Sequence, residues 1–87
     1  MSMSELQITV RYFAAARAAA GIETETLRCP TGTTIHTLVD GLGRRGPELA
    51  KVLARCSFLR DGVAVRDKNV VLQTTETVDV LPPFAGG

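Results

Sequence analysis

Val80-Leu81-Pro82-Pro83-Phe84-Ala85-Gly86-Gly87 decides how this chain is read. An apolar strand end runs into two prolines, then one aromatic, then three of the smallest residues. Proline holds φ near about −65° and favours an extended path, so Pro82 and Pro83 predict a tail that projects from the body. Gly86 and Gly87 carry no Cβ, which lets a backbone enter a channel too narrow for side chains. Such an arm is suited to presenting the Gly87 carboxylate to another protein for activation. A bare Gly-Gly end reads as a frayed terminus. Behind Pro-Pro-Phe and an apolar strand it reads as a device.

The rest of the composition narrows the classes. With 87 residues the chain has room for one modest core, and residues 1–87 are expected to form one domain, with 82–87 as its tail. Hydrophobic residues at 45% and charged residues at 22% give the balance of a folded chain. A formal charge of +1 and the absence of Trp argue against a nucleic-acid footprint, and that charge offers nothing to a membrane surface. No apolar run is long enough to span a bilayer, and Met1–Glu5 lacks the features of a signal peptide, so a cytoplasmic location is expected. Cys29 and Cys56 have neither metal nor redox spacing. Cys56 reads as core and Cys29 as a strand-end residue without an assigned role.

Working back from the tail, Val78 and Val80 face one way, and Thr77, Asp79 and Leu81 the other. At the opposite end, Leu6, Ile8, Val10 and Tyr12 alternate with Gln7, Thr9 and Arg11, the pattern of a half-buried strand over 6–13. Phe13 breaks this pattern by putting an aromatic on the polar face. Ala14–Ala20 followed by Gly21 predicts a short helix with a glycine stop. Residues 22–29 read as a polar edge strand, closed by Pro30-Thr31-Gly32. Thr33 or Thr34 can cap a helix with Ile35, Leu38, Val39 and Leu42 on one face, loosened and then broken by Gly41, Gly43 and Gly46. Pro47 opens another helix with Leu49, Val52, Leu53 and Cys56 as its stripe. Residues 58–65 form a hairpin turning at Asp61-Gly62, and 67–75 are turn-rich. The order β, β, α, β, β, with first and last strands paired centrally, predicts an α+β roll with a mixed sheet and its main helix on one face.

Two stretches carry a family resemblance. Val10-Arg11-Tyr12-Phe13-Ala14-Ala15-Ala16-Arg17 with Gly21 resembles the first strand and helical turn of the ubiquitin-like sulfur carriers. Val78–Gly87 resembles their last strand and tail. Ser57–Gly62 and the element order also fit, and the match is strongest to carriers of the type that form the small subunit of molybdopterin synthase. The resemblance implies a β-grasp (ubiquitin-like) fold. It also implies that Gly87 is adenylated by an E1-like activating enzyme consuming ATP, and receives sulfur by way of a sulfurtransferase donor to become a thiocarboxylate. The tail (Pro82, Pro83, Phe84, Ala85, Gly86) would then thread into a large subunit, where the sulfur passes to a cyclic pterin precursor. Two copies of each subunit assemble in such families. No bound cofactor and no metal are expected, and the chain would act as the reagent and not as the catalyst.

Phe13 and Leu81 lie on otherwise polar faces, and neighbouring strands would join them into an exposed apolar patch for a partner. Val65 extends it by family resemblance. Packing of Phe13 beneath the 14–20 turn is the equal alternative. His36, Arg44 and Arg45 read as surface or solvated groups, and Arg17 as local structure. A carrier for thiazole or cysteine synthesis, a modifier joined to lysines, and a plain interaction module are the competing readings.

Overall fold

A computed structural model describes residues 5–83 of the chain. Strand β1, Glu5–Tyr12, buries Leu6, Ile8, Val10 and Tyr12, so the period-2 pattern sets the face as expected. Helix α1, Ala14–Ala20, ends where Gly21 adopts φ 77° and donates its N–H to the Arg17 carbonyl. Only glycine takes that left-handed geometry without a steric penalty.

Strand β2, Thr24–Pro30, is the predicted edge strand, but it begins after Ile22, which is left exposed. It also extends through Pro30, opposite Glu5. An edge strand tolerates proline because its outer side needs no donor. Thr34 caps helix α2, Ile35–Gly43, by accepting the Thr37 N–H at 3.1 Å. Gly41 and Gly43 do not interrupt the helix; the chain leaves it at Arg44, and extended Gly46 separates it from α3, Pro47–Leu53.

Strands β3, Ser57–Arg60, and β4, Val63–Ala64, flank the Asp61-Gly62 turn, where both residues have positive φ. Strand β5, Thr77–Leu81, completes a five-stranded sheet in the order β2-β1-β5-β3-β4. β1 and β5 run parallel at its centre, and the other pairs are antiparallel. The helices cover one face, where Ile8, Val10, Val78 and Val80 meet Ile35, Leu38, Leu42, Leu49 and Leu53. Leu72, from the turn-rich 67–75 segment, is fully buried, and a Thr34–Val71 bridge holds that segment against the start of α2. This is the ubiquitin-like β-grasp architecture.

Cys29 is not a bystander at a strand end. It is buried in the core cluster together with Cys56, because its parity matches Leu6 across β1.

Candidate functional site at the root of the tail

Strand β5 delivers the chain from the middle of the sheet to Pro82, half-buried, and Pro83, exposed. Phe84, Ala85, Gly86 and Gly87, the remaining tail positions, lie outside the described residues. The described part of the site is therefore the platform from which the tail departs.

That platform has an apolar corner on the face of the sheet turned away from the helices. Tyr12 is level with Val80, and the Phe13 N–H donates to the Val80 carbonyl at 3.2 Å. One further step of the same parallel register puts Phe13 beside Leu81. Phe13 is 38% exposed and does not pack as a satellite core under α1, which settles the alternative in favour of exposure. Leu81 is half-buried, as is Leu59, which lies opposite Asp79 and Ala64 and shares this face.

Val65 belongs elsewhere. Its N–H donates to the Phe58 carbonyl at 2.9 Å, and it packs against the core. The hairpin register places it opposite Phe58, whose side chain is buried on the helix side. Side chains alternate between faces, so Val65 cannot extend the Phe13–Leu81 corner. Leu59 takes that place. The missed signal was its parity: Leu59 stands one residue from buried Phe58 and directly across from Asp79 in the observed register.

A bidentate ion pair borders the corner. Arg11 donates from Nε to Asp79 Oδ1 at 2.6 Å and from Nη2 to Oδ2 at 2.7 Å. Asp79 lies on the face opposite Val78 and Val80, as expected, and is only 5% exposed there, because β5 is central and Arg11 lies over it. The hydrogen bond and charge of Asp79 raise the Arg11 pKa further above its usual value. The guanidinium also stands 5.7 Å from the centroid of the Phe13 ring, within cation–π range. Arg11 thus links the charged and apolar halves of this face.

A second polar cluster fixes the opposite side of β1. Glu25 accepts from the Tyr12 hydroxyl and, at 2.6 Å, from Arg45 Nη1. Arg45 is therefore a structural partner and not a solvated loop charge, while Arg44 pairs with Asp40 at 3.0 Å on the surface. Burial, reinforced by Glu25, pushes the Tyr12 phenol up. Burial also acts to raise the Glu25 carboxyl, but the bonds from Arg45 and Tyr12 outweigh it and hold Glu25 below the usual range.

These groups offer no nucleophile. Burial raises both cysteine thiols, and Cys56 Sγ is engaged with the Val52 carbonyl at 3.2 Å. His36 is exposed; Asp40 stands one turn away, but its carboxylate is taken by Arg44. Among the described residues, no three of His, Cys, Asp and Glu gather as a metal-binding group. Arg17 comes within 3.9 Å of Glu23 on the surface.

A groove of ≈ 710 Å³ opens at the tail root, between Pro82 and Pro83 on one side and α3 with Ala15 on the other. Among the described residues, no helix is long and apolar enough to cross a membrane.

This architecture recurs in known proteins. The Haloferax volcanii HVO 2177 protein superposes with a TM-score of 0.86 at 24% identity, covering 100% of this chain and 92% of that one. A chain of the complex of subunits 1 and 2 of the Helicobacter pylori molybdopterin-converting factor superposes with a TM-score of 0.71 at 18% identity, covering 94% of this chain and 100% of that one. At the level of sequence, the "Molybdopterin synthase sulfur carrier subunit" of Arabidopsis thaliana is 30% identical over 84 residues, which is 97% of this chain and 86% of that protein. The ThiS family profile matches residues 10–87, from the middle of β1 through the whole tail. The end of β1, the whole of β5, the apolar corner beside them and the Pro-Pro-Phe-Ala-Gly-Gly end fall within that match, and the chain belongs to the ThiS family.

Proposed function

We propose that this chain is the sulfur carrier subunit of a molybdopterin synthase, with Gly87 as the carrier group. The observation that carries the reading is the near full-length match to a plant protein of that name. The placement of Phe13, Leu59 and Leu81 around the root of the tail is in keeping with it.

The chemistry follows from the terminus. A carboxylate resists attack at neutral pH. Attack of the Gly87 carboxylate on the α-phosphorus of ATP, in an E1-like activating enzyme, releases pyrophosphate and leaves an acyl-adenylate. Reduced sulfur supplied by way of a sulfurtransferase then attacks the carbonyl carbon, a C–S bond forms, and AMP departs with the C–O electrons. The product is a thiocarboxylate whose sulfur is unhindered, since glycine has no side chain to shield it. The tail enters the large subunit, where that sulfur is passed to the cyclic pterin precursor. ATP is consumed by the partner, and this chain holds no cofactor of its own.

Phe13, Leu59 and Leu81 form the surface that the large subunit covers. The complex of subunits 1 and 2 of the Helicobacter pylori molybdopterin-converting factor supports a partner of this kind. By family resemblance alone, a pair of such heterodimers is the expected assembly. The location proposed for this work is the cytoplasm.

The reading is tested at Gly87. After incubation with activating enzyme, ATP and a sulfur donor, C-terminal peptide mapping should localise one oxygen-to-sulfur exchange to Gly87 and none to Cys29 or Cys56. One residue added after Gly87 should abolish the exchange while leaving the melting curve unchanged. An amide between Gly87 and a lysine would identify a protein modifier instead. An unaltered Gly87 beside a competent activating enzyme would reduce the chain to an interaction module.

A further inference from the structure

The groove at the tail root has a charge pattern that the carrier chemistry does not use. Lys51 and Arg55 line it from α3 and from the residues just after that helix, facing Pro82 and Pro83, with Val52 and Ala54 forming an apolar floor. Among the described residues, two cations line the groove and no carboxylate does. Both cations are exposed, and among the described residues neither has an acidic partner within 4.0 Å. Most other arginines are paired: Arg11, Arg17, Arg28, Arg44, Arg45 and Arg60 each come within 4.0 Å of a carboxylate, while among the described residues exposed Arg66, away from this groove, does not. The neighbouring groove that adjoins Ala54 is mixed in charge, with Lys68 beside the Asp40–Arg44 pair, so of these two grooves only the one at the tail root is lined by cations without a carboxylate.

The geometry points to this groove as a docking site for an acidic segment of the large subunit, flanking the channel that takes the tail. The inference rests on the sulfur-carrier reading and adds the chemistry of a second contact. Two features commit the occupant. Pro82 and Pro83 form one wall, so a protein that encloses the tail from its root must cover the groove as well. The two unpaired cations over an apolar floor are complemented by carboxylates on a segment with small apolar side chains. Lys51 also complements the negative end of α3, but that role requires no partner and predicts no effect on binding. Charges at the edge of an interface act chiefly on the rate of association and on its salt dependence.

The measurement is the affinity of the full chain for its large subunit as a function of ionic strength. For the unaltered chain, affinity should fall as salt rises. The pair of substitutions Lys51→Gln and Arg55→Gln should weaken binding about tenfold at low salt, mostly through slower association, and the difference should shrink once salt screens the charges. Lys51→Glu with Arg55→Glu should weaken it further. Melting curves of the variants report the fold, and the salt dependence of the unaltered chain needs no variant. Binding of the unaltered chain that ignores salt, or folded Gln variants that bind with unchanged affinity and rate, would overturn the groove assignment alone. Failure of the unaltered chain to bind the large subunit at all would overturn both this inference and the sulfur-carrier reading.

Discussion

Phe13 occupies the N-cap of α1, where helices favour Ser, Thr, Asp or Asn because a side-chain oxygen can accept an orphan N–H. Phenylalanine makes no such bond here, and its ring is left facing solvent beside Leu81. A residue that gives up local stability while exposing an aromatic surface is what the proposed contact with a large subunit would require. Phe13→Asp should therefore separate fold from function. The carboxylate supplies the missing cap, so thermal stability should hold or rise by up to about 1 kcal/mol. Affinity for the large subunit should fall by about tenfold or more, since an aromatic anchor is replaced by a charge. Differential scanning fluorimetry and a binding isotherm on the same protein check both halves. Unchanged affinity would remove Phe13 from the interface. The residue was legible in the sequence as an aromatic out of phase; Leu59 was not, because its importance depends on which strand lies across from it.

At the scale of elements, the Glu25 cluster joins β1, β2 and the loop after α2 through Tyr12 and Arg45. Its pH dependence follows from the direction of the Glu25 shift. The folded-state pKa lies below the ordinary value of 4.5, so the unfolded chain binds the proton first as pH falls. The stabilisation is then fully present above about pH 4.5 and is lost as pH drops through the folded-state value. Arg45 is 43% exposed, and solvent screening limits the effect to less than about 1 kcal/mol. Glu25→Gln should melt slightly lower than the parent at pH 7, and the two curves should converge as pH falls from 4.5 through the folded-state value. A gap that stays constant down to pH 3 would show that the ionised carboxylate is not the source. Most elements could be read locally, including the glycine stop at Gly21 and the Asp61-Gly62 turn. The continuity of α2 through Gly41 and Gly43 could not, because burial of Leu38 and Leu42 outweighs the weak helix propensity of glycine.

For the whole molecule, the decisive feature is that the first and last strands are central neighbours. β1 and β5 each have a strand on both sides, whereas β2 and β4 are edges. Backbone amides in β1 and β5 should exchange only through global unfolding, and those of two-residue β4 should exchange through local opening. Native-state hydrogen exchange measures this ordering, and comparable protection across all five strands would contradict it. The arrangement also means that Pro82 leaves directly from a central strand, so the root of the tail does not depend on a loop for its position.

The sequence by itself determined the alternation of β1 and β5, the caps and turns, and the narrow Pro-Pro-Phe-Ala-Gly-Gly stretch on which the proposed chemistry rests. These are local properties: side-chain period, the fixed φ of proline and the missing Cβ of glycine act within a few residues. Only the tertiary structure decided which outward residues meet. Parallel pairing set Phe13 beside Leu81, hairpin parity brought in Leu59 and excluded Val65, and the packing of α3 near the tail root gathered Lys51 and Arg55 at the groove. Such contacts join positions far apart in the chain, and no local pattern encodes the register that brings them together.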